Sequence, residues 1–178
     1  MHLLVNVVAF KIGWMSSVLG AANNIPSLGP LVVMIAILLH LYFSRDPSRE
    51  LVLVLIAGAI GAIFDSALLS AGWVNYSTGV IIGGVAPYWM IGMWMLFATT
   101  LNMAMRWFHS NLWLAALLGG ALGPMSYYFG SKIGAIMFVE TFNALAALAV
   151  GWALLMPLLL LLARRFDGVS MQLEESRI

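Results

Sequence analysis

LVLVLIAGAIGAIFDSALLSA, residues 51–71, is an apolar run of 21 residues in which Asp65 is the one charged side chain. About 20 consecutive apolar residues form an α-helix long enough to cross the hydrocarbon core of a bilayer. A carboxylate near the centre of such a helix costs roughly 2.5 to 3.5 kcal/mol when it faces lipid, so Asp65 is expected to face protein. The run therefore predicts a membrane-spanning helix with a packed polar site on one face.

The composition of the whole chain also indicates an integral membrane protein. Of its 178 residues, 63% are hydrophobic and 8% are charged, and the mean hydropathy is +1.01. Ordinary soluble domains carry about 25% charged residues. The absence of cysteine excludes disulfides and thiolate chemistry, and the three histidines are scattered, so we expect neither a metal nor another cofactor. A net charge of +1 with dispersed basic residues argues against a nucleic-acid partner.

Turn residues and polar loops divide the chain into six apolar runs. The predicted fold class is all-α: a polytopic membrane protein, a compact bundle of six transmembrane helices in one domain over residues 1–178. The predicted spans are residues 3–20, 28–43, 51–71, 86–105, 112–129 and 133–163, followed by a cytoplasmic tail at 164–178. The loop at 44–50 is expected in water, and Pro124 is expected to kink the fifth span.

The basic residues predict the orientation in the membrane. Lys132 falls on one side of the predicted map, and six arginines fall on the other, namely Arg45, Arg49, Arg106, Arg164, Arg165 and Arg177. Both termini are therefore expected in the cytoplasm. Lys11 interrupts the first apolar run and no Lys or Arg precedes it, so we expect a retained span, not a cleaved signal peptide. An aromatic belt is expected at the outer interface, made of Trp73, Tyr76, Tyr88, Trp89, Tyr127 and Tyr128.

Small residues place Asp65 on a face that packs against other helices. Gly58 and Gly61 share its helical face by their three- and four-residue spacing, and small residues allow helices to approach closely. Glu140 occupies a similar stripe with Gly151 in the sixth span, so it too is expected to point inward. The predicted ligand-binding cluster lies in the outer half of the bundle and contains Asp65, Trp89, Tyr127, Glu140 and Asn143, and Lys11 is predicted as a further ligand-binding residue.

Lys11 is the natural counter-charge for these acids, but it lies opposite the small-residue stripe of its own span. Three alternatives stay open: it pairs with Asp65 or Glu140, it snorkels to the interface, or the segment before it is interfacial. Asp65 and Glu140 are equally explained as buried hydrogen-bond partners or as a ligand or proton site. His40, near the cytoplasmic end of the second span, is typical of an interfacial or hydrogen-bonded histidine.

Three motifs carry a family resemblance. They are FDSALLSAG at 64–72, PYWMIGMWMLFATTLN at 87–102 and GPMSYY at 123–128 with the lysine and glycine that follow. Over most of residues 51–134 the chain resembles an uncharacterised family of small proteobacterial inner-membrane proteins, known as a domain of unknown function. The resemblance implies a multi-pass protein of the inner membrane with no assigned activity or catalytic residues. Members are often encoded near enzymes that modify membrane fatty acids, which favours a role with lipids.

Three functions are consistent with the sequence. The first is binding or transport of a small amphiphilic, lipid-like or cationic ligand in an outer-half pocket. The second is a lipid-modifying enzyme or its accessory subunit, with a carboxylate as base and a tyrosine or lysine as acid, although no catalytic motif supports it. The third is a structural or assembly partner of another membrane protein. Membrane lipids are the expected surroundings in each case.

Overall fold

A computed structural model describes residues 3–169 as six α-helices, one short 3-10 helix and a two-stranded antiparallel sheet. In chain order these are α1 (Leu3–Ala22), α2 (Leu28–Tyr42), α3 (Pro47–Ser70), β1 (Val74–Tyr76), α4 (Tyr88–Leu101), the 3-10 helix (Arg106–Ser110), α5 (Leu112–Ile133), β2 (Ile136–Phe138) and α6 (Thr141–Arg165). Most of the predicted tail, residues 170–178 with Arg177, lies outside the described residues.

Four of the helices, α1, α3, α5 and α6, are long and apolar enough to cross a membrane. The helical, membrane-compatible fold is therefore as the sequence predicts. The other two helices, α2 and α4, have 15 and 14 residues. Nine residues of α4 are buried, and it packs against α1, α2, α3 and α6, so it is the central helix of the bundle. Because other helices surround α4 on most sides, its length does not have to match the hydrocarbon thickness of the bilayer.

The start of α3 corrects the prediction for the loop at 44–50. Pro47 stands in the first turn, and the Asp46 carboxylate accepts a hydrogen bond of 3.3 Å from the backbone N–H of Arg49, so the helix begins four residues earlier than residue 51. Glu50 consequently lies inside the first turn and is fully buried. The expectation that this glutamate is in water is wrong.

The sheet corrects the prediction for the start of the sixth span. Gly134 ends α5 with φ +93, a left-handed conformation that reverses the chain, and β2 then pairs with β1. The strand occupies residues that the apolar run assigned to the sixth span, and α6 begins only at Thr141. Glu140 is therefore exposed at the N-cap of α6, and the prediction that it points inward is wrong. In α5 itself, the helix continues through Pro124.

Candidate functional site

The Asp65 carboxylate is the centre of a closed hydrogen-bond cluster. It is 0% exposed. Its Oδ1 accepts hydrogen bonds of 2.7 Å from the phenols of Tyr76 and Tyr127, and its Oδ2 accepts one of 2.6 Å from Nε1 of Trp94. A carboxylate that must be buried is stabilised by such donors, because each replaces a hydrogen bond to water. The cluster ties α3 to β1, α4 and α5, and the donors leave little of the carboxylate open to a ligand.

Glycines let large aromatic side chains pack beside this carboxylate. Gly61 lies one turn before Asp65, and a Cβ at that position would overlap the ring of Trp94. Trp94 in turn stacks on Trp152 of α6, with ring centroids 4.6 Å apart and planes 12° from parallel. Gly123 leaves the corresponding space for the Trp152 ring. The small-residue faces predicted from the sequence thus accommodate indole rings between the helices.

A cavity of about 260 Å³ lies on the other side of these aromatic rings. Its walls come from α1, α4, α5 and α6, with β2 at one end and the 3-10 helix at the other. Trp94, Tyr127 and Trp152 line it, whereas Asp65 does not. Four flexible side chains add to the apolar lining, namely Met90, Met93, Met105 and Met156. The carboxylate therefore holds the wall of the cavity but does not itself face its interior.

The cavity is long and follows the helix axes. Along α5 its lining runs from Leu118 to Gly130, a distance of about 18 Å at 1.5 Å per residue. Leu122 and Ser126 line the cavity and are also exposed, so it reaches the surface of the bundle beside α5. Ser126 and the aromatic heteroatoms supply its side-chain polar groups, and no charged residue lines it among those described. Such a cavity suits an apolar, elongated occupant.

A second buried polar cluster lies at the opposite end of α3. Glu50 accepts hydrogen bonds from Nδ2 of Asn102 at 2.9 Å and from the backbone N–H of Gly168 at 2.8 Å, and it lies 2.9 Å from Nε2 of His40. The three side chains are at most 1% exposed. Nδ1 of His40 and Oδ1 of Asn102 have no hydrogen-bond partner among the described residues. This cluster joins α2, α3, the end of α4 and the chain just after α6.

The structure brings together only part of the predicted ligand-binding cluster. Asp65 and Tyr127 are in direct contact, and Trp89 joins them through the ring of Tyr76, 5.9 Å from its own. The other predicted members, Glu140, Asn143 and Lys11, are exposed on the surface. The structure therefore separates them from Asp65. A ligand-binding role for these three residues stays a prediction, and any ligand that they bind would lie at the surface of the protein.

Sequence reasoning missed Trp94, Tyr76 and Glu50 as members of the buried clusters. Trp94 follows Asp65 by 29 residues, and nothing in its neighbourhood distinguishes it from other span tryptophans. Tyr76 was expected in the interfacial belt, because a tyrosine at the end of a span is typical of that position. One feature of the sequence could have identified Tyr76: it follows the helix that carries Asp65 and is close enough to the end of that helix to reach the Asp65 carboxylate.

Comparison with known proteins places the chain in a family. A family model described as a protein of unknown function, DUF2878, matches residues 3–158, which include Asp65, Glu50 and nearly all of the bundle. The chain belongs to the DUF2878 family. No curated protein and no solved structure matches the chain. The predicted resemblance to an uncharacterised family is confirmed, and because the DUF2878 family has no assigned function, any functional argument must come from the site itself.

Proposed function

We propose that this protein binds a lipid-like amphiphile within the membrane and that the apolar chain of the ligand lies in the cavity between α1, α4, α5 and α6. The observation that carries the proposal is the shape of this cavity. Along α5 the cavity is about 18 Å long. One leaflet is as deep as half the ~30 Å hydrocarbon thickness of a bilayer, so the cavity is slightly longer than one leaflet is deep. A single linear chain from one leaflet therefore matches it in length.

The residues that line the cavity favour a hydrocarbon chain over a charged group. Methionine side chains adapt to an irregular partner, and indole and phenol rings provide rigid apolar walls. An unfilled cavity of this kind lacks dispersion contacts on its inner walls, and a hydrocarbon chain would supply them. The surface opening beside Leu122 and Ser126 gives a lipid chain a sideways entry from the bilayer.

Selectivity for this ligand has to come from shape. A lipid chain in the bilayer is already out of water, so moving it into the cavity gains dispersion contacts but little from the hydrophobic effect. Asp65 contributes indirectly, because it fixes Tyr127 and Trp94 in the wall. We therefore expect a wall that discriminates between chain shapes and a head group that stays outside the cavity.

The membrane placement is part of the proposal. We infer that all six helices lie in the inner membrane with both termini in the cytoplasm, since six arginines and one lysine divide between the two sides. Reporter fusions at position 75 and at the C-terminus test this. A reporter active in the periplasm only at position 75 supports the orientation, and the reverse pattern contradicts it.

Retention of a defined single-chain lipid tests the binding. Leu118→Trp places a bulky indole in the cavity and obstructs it, whereas Leu117→Trp is its matched control, because Leu117 is 70% exposed on the outer face of the same turn. Each purified protein is loaded with palmitoyl lysophosphatidylethanolamine, washed in detergent and examined by native mass spectrometry. We expect the parent and Leu117→Trp to retain one lipid and Leu118→Trp to lose it about tenfold, a difference of about 1.4 kcal/mol. Equal retention by both variants contradicts the proposal.

A further inference from the structure

The end of the cavity nearest Glu50 is closed by a turn of the chain between α4 and α5. Met105 and Phe108 line the cavity there, on either side of Arg106 at the start of the 3-10 helix. Phe108 is 7% exposed, so this turn separates the apolar interior from the surface. The contacts that hold this turn in place therefore keep this end of the cavity closed.

Arg106 is held by residues that follow α6. Its Nη2 donates a hydrogen bond of 2.6 Å to Oδ2 of Asp167, and its Nε donates one of 3.0 Å to the backbone carbonyl of Asn102. The two charged side chains are 30% and 16% exposed. This ion pair is therefore close to water, in contrast to the buried Asp65 cluster at the opposite end.

The residues around Asp167 form a strap, defined here as residues 167–169, that is docked against the start of α3. The backbone N–H of Gly168 donates to Glu50, and its carbonyl accepts from the backbone N–H groups of Arg45 and Asp46 at 3.0 and 3.1 Å. A Cβ at Gly168 would overlap the carbonyl oxygen of Asp46, so only glycine fits this contact. The strap is thus attached by directional polar contacts and a single buried apolar side chain, Val169.

We propose that the strap is a gate for the Glu50 end of the cavity. When Asp167 and Gly168 leave Arg106 and Glu50, the turn that carries Met105 and Phe108 loses its ion pair with the strap, and the cavity opens toward water at that end. Glu50 links the two parts, because it binds both Gly168 and Asn102 beside the turn. As a route for the bound amphiphile, the gate rests on the proposed function. As a statement about access to the cavity, it is independent of any ligand.

Cysteine labelling tests the gate, because the chain contains no cysteine of its own. Leu118→Cys places a thiol in the cavity, and Leu117→Cys places its matched control on the outer face of α5. Both proteins are reconstituted in nanodiscs and treated with a membrane-impermeant maleimide. We expect Asp167→Asn to accelerate labelling of the Leu118→Cys thiol about tenfold, as for a rise in the open population worth about 1.4 kcal/mol. Lys132→Gln, which neutralises an exposed charge in the last turn of α5, far from the strap, should leave the rate unchanged.

Exchanging the two charges shows whether faster labelling of Asp167→Asn comes from opening of the gate or from loss of the fold. Arg106→Asp combined with Asp167→Arg restores an ion pair of opposite polarity, and it should return the Leu118→Cys thiol to slow labelling. Equal labelling in the parent and Asp167→Asn overturns the gate, and so does failure of the exchanged pair to restore slow labelling. A working gate without lipid retention would remove only the proposed function, and lipid retention without a gate would remove only this inference.

Discussion

Tyr127 on α5 donates a hydrogen bond of 2.7 Å to the carboxylate of Asp65 on α3, so a phenol in the cavity wall is held by an acid that does not face the cavity. This relationship explains why an apolar span carries a charge. The acid fixes wall residues that come from different elements, and its cost in burial is offset by three hydrogen bonds.

Neutralising this acid is expected to destabilise the fold. Asp65→Asn replaces one acceptor oxygen by an NH₂ donor, so at least one of the three surrounding donors loses its acceptor. We expect a loss of about 1–3 kcal/mol, seen as a lower midpoint of thermal unfolding in detergent by circular dichroism. Glu140→Gln is the control, because its side chain is exposed. Equal midpoints for the two variants would show that the cluster does not stabilise the fold.

The two tyrosines in this cluster should not act independently. Tyr76→Phe and Tyr127→Phe each remove one of the two donors to the same Oδ1 of Asp65. After one donor is lost, the remaining phenol has the oxygen to itself, so its own removal should cost more in the single variant than in the parent. We expect a coupling of about 0.5 kcal/mol or more in a double-mutant cycle of unfolding free energies. Strict additivity is the contrary result.

The buried Glu50 should matter more than its charged neighbour. Glu50→Ala leaves His40, Asn102 and the Gly168 N–H without their acceptor in a buried place. The expected loss is about 3 kcal/mol in the unfolding free energy. Arg49→Ala, at the preceding residue, removes a side chain that is 60% exposed and should change it by less than about 1 kcal/mol. Similar losses in both variants would contradict a buried role for Glu50.

Replacing Gly123 of α5 by alanine should destabilise the protein, although the same substitution usually stabilises a helix. Helix propensity alone predicts that Gly123→Ala stabilises by about 1 kcal/mol. A Cβ at Gly123 would, however, overlap the ring of Trp152, so we expect a net loss of about 1–3 kcal/mol. Gly83→Ala is the control, since no atom lies within 4 Å of its added Cβ. Stabilisation by Gly123→Ala would show that the indole does not pack there.

His109 should contribute to the pH dependence of stability. Partial burial, more than the nearby arginines, lowers the pKa of His109 below its ordinary value. Between the folded and the unfolded pKa, the unfolded chain binds more protons, so stability falls as the pH drops through about 6.5 and levels off below the folded value. His109→Gln should flatten this part of the curve in unfolding measurements between about pH 5 and 8. An unchanged slope contradicts this assignment.

The sequence predicted the direction of Asp65 and one of its partners, Tyr127, but not Tyr76 or Trp94. Small residues one and two turns away on one helical face indicated close packing, and the structure has Gly58 and Gly61 buried there. Which aromatic side chains fill that space depends on contacts between segments distant in the chain, and periodicity carries no information about those. Trp94 is therefore invisible to the pattern, although its bond to Asp65 is the shortest in the cluster.

The errors at Glu140 and Glu50 have different physical causes. Hydropathy averages over a window, so a three-residue strand inside an apolar run looks like the beginning of the next helix. Glu140 was placed inside the sixth span for that reason. Glu50 was placed in water because it stands beside an arginine and close to an aspartate, and local charge density does not show which of several neighbouring side chains turns inward.

Photoaffinity labelling with a palmitic acid analogue that carries a diazirine on its chain tests most directly whether a lipid chain occupies the cavity. The protein is illuminated in nanodiscs, and the labelled residues are located by tandem mass spectrometry. We expect labels on Phe10, Met93, Leu118 and Met156, which line the cavity on four helices. Leu118→Trp should remove them, whereas Leu117→Trp should not. Labels confined to outward-facing residues such as Leu154 and Phe142, unchanged by Leu118→Trp, would contradict the account.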